Sequence, residues 1–539
     1  MASWRNWLPM WQSGFLLYEF ALEAAVCDLL GVKRVSSLWG GIGVGVPLFR
    51  WSALRLAERS GGGISRGTRE RRAMMDWRTV CGVLAVAMAA SAAGAQVVHA
   101  PSYPFTGDSA GDFFGWSVSG AGDVNNDGFD DFIVGAHFDD NNGIESGSAR
   151  VFSGATGAVL YTFNGDSAGD NFGFSVSGAG DVNNDGFDDL IVGANLDDNN
   201  GDGSGSARVF SGATGAVLYT FNGDSAGDNF GSSVSGAGDV NNDGFDDLIV
   251  GARLDDDNGI DSGSARVLSG ATGAVLYTFN GDSADDWFGH SVSGAGDVNN
   301  DGFDDLIVGA RWDDSNGVDS GSANVFSGAT GAVLYTFNGD SAGDLFGWSV
   351  SGAGDVNNDG FGDLIVGALF DDNNGDASGS ARVFSGATGA ILSTFNGDSG
   401  GDQFGVSVSG AGDVSNDGSD DFIVGARFDD NVGFNSGSAR VFSGATGAIL
   451  YTFTGDSEGD LFGFSVSGAG DVNNDGFDDL IVGAYWDDNN GENSGSARVF
   501  FSVPLPAPPA PCPGDANGDR SVNFADVVDV LRNFNATCP

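Results

Sequence analysis

The chain has 539 residues, of which 74 are Asp or Glu and 22 are Lys or Arg, so its formal net charge is −52. Broad electrostatic binding to nucleic acid or to an anionic membrane requires positive charge, and this balance excludes both. Disorder requires low hydrophobicity, whereas 41% of the residues are hydrophobic and 41 are Phe. The 91 glycines indicate many turns between short strands.

Residues 74–95 have the three parts of a secretory signal peptide in the right order. A basic residue, Arg78, precedes an apolar run over 80–90 that is too short to span a bilayer, and small residues ending at Ala95 form a cleavage site. We therefore expect a secreted or cell-surface protein with no transmembrane span in the mature chain. Residues 1–73 lack the repeat found downstream, and we expect them to be an over-extended start or an unstructured extension.

A nine-residue motif, D-V-N-N-D-G-F-D-D, recurs at intervals of 58 residues in five exact and two altered copies, beginning at Asp123, Asp181, Asp239, Asp297, Asp355, Asp413 and Asp471. The altered copies are the fifth, with Gly362 in place of an Asp, and the sixth, with Ser415 and Ser419. Each unit contains four strand-like segments separated by Gly, Asn, Asp and Ser, which in the second unit are 172–179, 190–194, 206–211 and 216–221. Four strands per repeat are typical of a propeller blade. A β-solenoid is the alternative, but its coils usually repeat at roughly 20–30 residues.

The two ends of the repeat array complement each other. The segment 102–108 resembles the fourth strand of a unit, whereas the seventh unit stops after its third strand, at 497–500. If the first strand completes the last blade, the ring closes and no strand edge is left unpaired. We therefore predict an all-β fold over 96–503: a seven-bladed β-propeller of four-stranded blades, closed by an N-terminal strand.

The repeated motif predicts a cation site. Positions 1, 3, 5 and 9 carry oxygen side chains, position 6 is a Gly that suits a sharp turn, and position 7 can offer its backbone carbonyl. Five oxygens that include three carboxylates suit a hard cation of flexible geometry, which favours Ca²⁺ over Zn²⁺. The alternative is an acidic turn that only keeps the protein soluble.

We predict about one Ca²⁺ per blade, held mainly to stabilise the fold. The predicted ligands are Asp123, Asn125, Asp127, Phe129 and Asp131; Asp181, Asn183, Asp185, Phe187 and Asp189; Asp239, Asn241, Asp243, Phe245 and Asp247; Asp297, Asn299, Asp301, Phe303 and Asp305; Asp355, Asn357, Asp359, Phe361 and Asp363; Asp413, Ser415, Asp417, Ser419 and Asp421; and Asp471, Asn473, Asp475, Phe477 and Asp479. The sixth site has two serines at positions 3 and 7, so we predict that it is the weakest.

Two dipeptides flank each loop. Phe-Gly opens each first strand, at Phe114, Phe172, Phe230, Phe288, Phe346, Phe404 and Phe462, and Gly-Ala closes each second strand, as at Gly135-Ala136. With the loop between them, these features resemble the FG-GAP repeats of the integrin α-subunit propeller over about 400 residues. The resemblance implies seven blades, with calcium loops on one face and ligand-binding loops on the other. The residue after Gly-Ala, often Pro in that family, is here His137, Asn195, Arg253, Arg311, Leu369, Arg427 or Tyr485.

The C-terminal segment contains an oxygen-rich loop of a different kind. A Pro-rich linker, 504–511, leads into a module over 512–539 whose loop offers oxygens at Asp515, Asn517, Asp519, Ser521, Asn523 and Asp526, followed by an apolar helical stripe. These features resemble half of a type I dockerin, and the resemblance implies a small calcium-loop–helix module, one further Ca²⁺ and a cohesin-like partner. In an oxidising compartment, the pair Cys512 and Cys538 suggests one disulfide. A short disulfide-closed tail is the alternative.

The repeats differ mainly at the positions that follow Phe-Gly and Gly-Ala. We single out five of these residues as candidates for a ligand-binding face: Trp116, His290, Trp312, Trp348 and Trp486. In a blade they would lie opposite the calcium loops, near the central opening, where they could stack on sugar rings or hold a protein loop. Alternatively, these rings pack between blades.

Catalysis has little support in the sequence. The three His residues lie in no repeated carboxylate or Ser setting, and the acids repeat too uniformly to provide a distinct acid pair. We therefore predict a calcium-binding adhesion or recognition scaffold with a protein or glycan ligand, and not an enzyme. An extracellular carbohydrate-active protein, which binds or degrades polysaccharide and uses the dockerin-like module for attachment, is the second hypothesis, and a purely structural envelope component is the third.

Overall fold

A computed structural model describes residues 102–502, and within this range the chain forms 28 strands and no helix. The strands form seven antiparallel sheets of four. The predicted seven-bladed, all-β propeller of four-stranded blades is therefore confirmed. The predicted signal peptide, the extension over 1–73, the linker and the dockerin-like module with Cys512 and Cys538 lie outside the described residues.

Blades 1 to 6 each consist of four consecutive strands, and blade 7 consists of three late strands and the first one. The innermost strands are β2 (Ser117–Gly122), β6 (Phe172–Gly180), β10 (Phe230–Gly238), β14 (Phe288–Gly296), β18 (Phe346–Gly354), β22 (Phe404–Gly412) and β26 (Ser465–Gly470). The second strands are β3 (Asp131–Ala136), β7 (Asp189–Ala194), β11 (Asp247–Ala252), β15 (Asp305–Ala310), β19 (Asp363–Ala368), β23 (Asp421–Ala426) and β27 (Asp479–Ala484).

The third strands are β4 (Ser148–Phe152), β8 (Ser206–Phe210), β12 (Ser264–Leu268), β16 (Ser322–Phe326), β20 (Ser380–Phe384), β24 (Ser438–Phe442) and β28 (Ser496–Phe500). The outer strands are β5 (Val159–Asn164), β9 (Val217–Asn222), β13 (Val275–Asn280), β17 (Val333–Asn338), β21 (Ile391–Asn396), β25 (Ile449–Thr454) and β1 (Ser102–Thr106). The predicted segments of the second unit agree with these bounds to within a residue.

Burial follows the position of a strand within its blade. All six residues of β3 are buried, as in every second strand, because the strand lies between two others and has blades on both faces. The outer strand β5 keeps exposed positions, since it forms the rim of the ring. The apolar run of the second strand and the weaker alternation of the fourth therefore have the same physical origin.

The ring is closed by β1, as predicted. It pairs antiparallel with β28, from Ser102 opposite Phe500 to Thr106 opposite Ser496, and the sheet order is β1-β28-β27-β26. The innermost strand β2 of blade 1 lies beside β26 of blade 7 as well as beside β6 of blade 2. The first and last segments of the array are thus hydrogen-bonded within one blade.

The hydrophobic core lies between blades. One cluster joins Ile133 and Val151 of blade 1 to Phe172, Leu190 and Val192 of blade 2, and six further clusters use the equivalent residues at the other interfaces. A single blade buries little of this surface by itself, so each repeat depends on its neighbours for stability.

A tyrosine on the outer strand links neighbouring blades. The Tyr161 hydroxyl donates to the Gly212 carbonyl at 2.7 Å, and Tyr219, Tyr277 and Tyr335 make the same bond to the next blade at 2.8 Å. The turn glycine that each ring covers has φ near +68° and contacts the ring closely. In blade 5 the residue is Ser393, and a cavity of about 500 Å³ lies there, lined in part by Phe395, Phe442 and Ile449.

We expect Ser393→Tyr to stabilise the protein. The ring would fill part of this cavity, and its hydroxyl would donate to the Gly444 carbonyl, which together contribute about 1–2 kcal/mol to the free energy of unfolding. Urea denaturation measures the change. Tyr335→Ser is the matched control and should destabilise by a similar amount. A Ser393→Tyr variant less stable than the parent would contradict this interpretation.

Candidate metal loops and ligand face

The seven predicted metal loops join the first and second strands of their blades, so all lie on one face of the ring. In blade 1 the Asp123 carboxylate accepts hydrogen bonds from the backbone N–H groups of Asp127 at 2.9 Å and Gly128 at 2.8 Å. Asn126 has φ of 55°, a left-handed conformation that Asn tolerates well, which explains the second Asn of the motif. Each carboxylate oxygen retains a further lone pair for a cation.

The ninth residue of the loop is buried completely. Asp131 Oδ1 accepts from the Gly154 N–H at 2.9 Å, and its Oδ2 lies 3.1 Å from the Asn125 amide nitrogen. Burial raises the pKa of Asp131 to about 7, and the negative charges of Asp127 and Asp123 raise it further, against the effect of the Gly154 bond. The three predicted carboxylate ligands are therefore close enough to repel one another, which a cation would relieve.

The ninth residue behaves alike in the other six loops. Burial is the main cause of the raised pKa at each of these residues. The pKa is about 6 at Asp305 and Asp363, about 7 at Asp189, Asp247 and Asp421, and about 8 at Asp479. The sixth loop differs at position 3, where Ser415 donates its N–H to Asp421 Oδ2 at 3.0 Å and brings no side-chain amide. Its Ser419 is buried, in the place of a phenylalanine ring.

Position 8, to which the sequence assigned no role, links neighbouring loops. Asp188 Oδ2 of blade 2 accepts from the Asp123 N–H of blade 1 at 2.8 Å, and Asp130 of blade 1 accepts from the Asp471 N–H of blade 7 at 2.8 Å. The Asn126 amide also donates to the Gly186 carbonyl of the next loop at 3.0 Å. In blade 5 the residue is Gly362, so the link from a carboxylate to the fourth loop is lost there. The repeat alone could not reveal a contact between copies.

The opposite face carries a second set of carboxylates. In blade 2, oxygens of Asp166, Asp170 and Asp197 lie within 4.8 Å of one another, in the loops that enter the blade and join its second and third strands. Arg208 on β8 lies 2.6 Å from Asp166 and 3.5 Å from Asp197, and its guanidinium is 5.4 Å from the centre of the Phe172 ring. The equivalent arginines, with the same two kinds of contact, are Arg150, Arg266, Arg382, Arg440 and Arg498.

In each of these clusters the inner carboxyl has a raised pKa. Burial raises the pKa of Asp170 to about 7, and its hydrogen bond to Asp166 raises it as well. Burial opposes the ionisation of Asp166 too, but the bond from Asp170 and the Arg208 charge bring its pKa below the usual value. The two residues therefore titrate as a coupled pair.

Blade 4 lacks the arginine. Asn324 stands at that position on β16, where its side-chain oxygen accepts from the Thr336 hydroxyl at 2.7 Å. The local carboxylates, Asp282, Asp286 and Asp313, have no ion-pair partner among the described residues. Burial and the hydrogen bond to Asp282 raise the pKa of Asp286 to about 7.

The five candidates for the ligand face lie on this same side of the ring. Trp116 is half-buried, with its ring centre 5.5 Å from Phe174 and 4.6 Å from Phe464 in the two neighbouring blades. The other four are placed similarly: His290 is 5.1 Å from Trp348, Trp312 is 4.2 Å from Trp287, and Trp486 is the most exposed, at 42%. The rings thus contact one another around the central opening and keep part of their surface accessible.

Comparison with known proteins agrees with this architecture. The FG-GAP repeat family matches six segments, 114–160, 172–210, 230–268, 288–326, 346–384 and 462–500. The sixth unit, which has the altered loop, is not among them. Together with the integrin relatives below, these matches support an FG-GAP β-propeller.

Several curated relatives are integrin α subunits. Integrin alpha-5 of Xenopus laevis is 32% identical over 219 residues, which is 37% of this chain and 20% of the relative. Integrin alpha-V of Gallus gallus is 31% identical over 218 residues, with the same coverage, and integrin alpha-3 of Cricetulus griseus is 33% identical over 156 residues, 26% of this chain and 14% of the relative. The chain therefore spans about a fifth or less of these relatives. Within residues 102–502, no helix is long and apolar enough to cross a membrane.

We expect Arg208→Asn, which gives blade 2 the combination found in blade 4, to lower the free energy of unfolding by about 2 kcal/mol, because Asp197 would be left buried without a cation. The reverse change, Asn324→Arg, should stabilise by a smaller amount through new ion pairs and a contact with the Phe288 ring. Urea denaturation of both variants measures the pair of effects. The two variants should change the free energy of unfolding in opposite directions. An Arg208→Asn variant as stable as the parent would contradict the role assigned to the arginine.

The raised pKa values of the inner carboxyls predict that stability depends on pH. Seven carboxyls have a pKa raised to about 7: Asp112, Asp170, Asp228, Asp286, Asp344, Asp402 and Asp460. The unfolded value is near 3.9, so the folded state binds these protons more tightly, and the stability gained from them is lost as the pH rises through about 7. In excess Ca²⁺, the melting temperature should rise as the pH is lowered from 8 to 6. Replacing all seven by Asn should flatten the profile, and a profile that rises with pH would contradict it.

Proposed function

We propose that this protein is a secreted or cell-surface calcium-binding β-propeller that acts as an adhesion or recognition scaffold. It holds about one Ca²⁺ in each loop of one face and binds a macromolecular ligand on the other. The integrin relatives and the FG-GAP matches support the class of protein. The observation that carries the proposal is the difference between the two faces of the ring. The metal loops of one face are nearly the same in every blade, whereas the residues after Phe-Gly and Gly-Ala on the other face vary.

The uniform face is suited to structural ions. Six loops present the same oxygens and the sixth in chain order has Ser415 in place of an Asn, and all seven have a fully buried ninth aspartate whose pKa is raised by burial and by its neighbours. Divalent cations would neutralise these groups and couple metal binding to folding. Extracellular calcium modules commonly bind with Kd values of about 0.1–1 mM, which suits a site outside the cell.

The varied face is suited to recognition. The residues after Phe-Gly and Gly-Ala change from blade to blade, and they meet around one opening: Trp116 contacts Phe464, and His290 contacts Trp348. Identical blades would satisfy the needs of the fold, so diversity concentrated at this opening favours a surface that fits a particular ligand.

Calcium binding is tested on the chain 96–539. We expect chelation by EDTA to lower the melting temperature by many degrees, because the loop carboxylates then repel one another without compensation. Titration with Ca²⁺ should show about seven propeller sites, and Asp185→Asn should remove one. The double variant Ser415→Asn, Ser419→Phe should increase the Ca²⁺ affinity of the sixth site, which is predicted to be the weakest. A melting temperature unaffected by EDTA would contradict a structural role for the ions.

The class of ligand is tested by screening the same chain against glycan and protein arrays with and without EDTA. Saturable binding without turnover supports a recognition scaffold, whereas release of products from a polysaccharide would support the carbohydrate-active alternative. The C-terminal module remains a prediction, and a pull-down with cohesin domains tests it separately, with Asp515→Ala as its control.

A further inference from the structure

Three arginines at the central opening differ from every other arginine of the described blades. Arg253, Arg311 and Arg427 follow Gly-Ala in blades 3, 4 and 6, and within residues 102–502 none of them has an ion-pair partner. The arginines of the third strands each contact two aspartates. In a chain of net charge −52, three unpaired cations at one place require an explanation.

These cations are held by aromatic faces. The Arg311 guanidinium lies 4.3 Å from the ring centre of Trp287 and 4.2 Å from that of Trp348, and Arg253 lies 5.4 Å from Trp287. Arg427 lies 4.9 Å from Phe428 and 5.6 Å from Phe464, but its Nε is already used, because it donates to Gln403 Oε1 at 2.7 Å. Stacking of this kind occupies the flat side of a guanidinium and leaves the N–H groups in its plane free to bind a carboxylate.

The same place holds buried donors without acceptors. Arg311 is only 8% exposed, and among the described residues Arg253 Nε, Arg311 Nε and Trp287 Nε1 are buried with no hydrogen-bond partner. Arg311 Nη1 lies 3.4 Å from His290 Nε2, which must accept, so the neutral ring carries its proton on Nδ1, another buried atom without a partner. These four donors lie in two neighbouring blades and could bind an acceptor that a ligand supplies.

The arginines are also close enough to repel one another. Burial lowers the pKa of Arg311 to about 9, and the charges of Arg253 and Arg427 lower it further. The equivalent residue of blade 5, Leu369, is fully buried, so the fold accepts an apolar side chain at this position. The arginines are therefore not needed for packing and are unfavourable until an anion is bound.

We propose that the central opening binds a single carboxylate, carried by an acidic side chain of a protein partner, through Arg253 and Arg311, which contact the same Trp287 ring. A peptide is favoured over an acidic polysaccharide because exposed aspartates of the third-strand clusters, such as Asp108 and Asp166, lie further out on the same face. They would repel a polyanion and attract basic residues beside the acidic one. The inference rests on the proposed recognition role of this face.

The site is tested with soluble probes, using the tryptophans that contact Arg311 as fluorescent reporters. The probes are sodium acetate, the capped peptide Lys-Gly-Glu-Gly-Lys, its Gln counterpart and trigalacturonate, each in excess Ca²⁺ at constant ionic strength. We expect acetate to change the fluorescence saturably, and the Glu peptide to bind at least tenfold more tightly than both the Gln peptide and trigalacturonate. Equal binding of the Glu and Gln peptides would overturn the proposal, and tighter binding of trigalacturonate would overturn the choice of a peptide.

Variants separate binding from folding. Arg311→Leu copies blade 5 and should weaken the Glu peptide at least tenfold without lowering the melting temperature, and Arg311→Lys should weaken it less. Arg253→Leu is a second variant with the same expected outcome. Undiminished binding by both Leu variants would overturn the site. The Ca²⁺ stoichiometry and the melting temperature in EDTA do not depend on these arginines. These two measurements therefore test the proposed calcium-binding propeller independently of the carboxylate site.

Discussion

The structure depends on how closely packed carboxylates are compensated. Each blade places acidic groups in two regions, the metal loops at one end and a cluster beside the third strand at the other. At the second region every blade but the fourth supplies the cation itself, as when Arg208 lies between Asp166 and Asp197. At the first region residues 102–502 supply backbone donors, such as Asp127 N–H to Asp123, but no ion pair from a side chain, and the buried ninth aspartate keeps a raised pKa. This asymmetry makes the loops candidates for external cations and the clusters part of the fold.

Continuity around the ring depends on contacts that cross from blade to blade. The apolar clusters, the outer tyrosine and the eighth residue of the loop all reach into a neighbouring repeat, at three different radii. A single unaltered spacing of 58 residues keeps these partners aligned at every interface. Where one copy departs, the loss is local: Gly362 removes one link between loops, and Ser393 lacks the ring and hydroxyl that Tyr335 provides at the rim. The remaining contacts at those interfaces persist, which is how a repeat protein tolerates such changes.

Periodicity and end-matching predict the fold because both are properties of the chain read in order. The strands of the second unit and the pairing of β1 with β28 follow from them. The roles of Asp188 and of Arg208 do not, because each acts on groups that are distant in sequence or shared between elements: Asp188 binds the loop of the preceding repeat, and Arg208 joins two separate loops. The ligand face could likewise be predicted only in part from the sequence. Its aromatic rings could be identified by their variation, but the stacking of Arg311 on Trp348 joins two blades and depends on the folded ring.

The backbone at the central opening supports the view that this face is shaped by something other than folding. The residue before each Phe-Gly has a positive φ, including Phe113 at 57°, Trp287 at 54° and Leu345 at 53°. Asn occupies this position in blades 2 and 3 and tolerates the left-handed region, whereas a bulky side chain there costs about 1–2 kcal/mol. A fold selected for stability alone would keep Asn or Gly in all seven blades. The varied and strained residues instead lie where the unpaired arginines and the aromatic rings meet, so strain, buried charge and sequence diversity coincide at one opening.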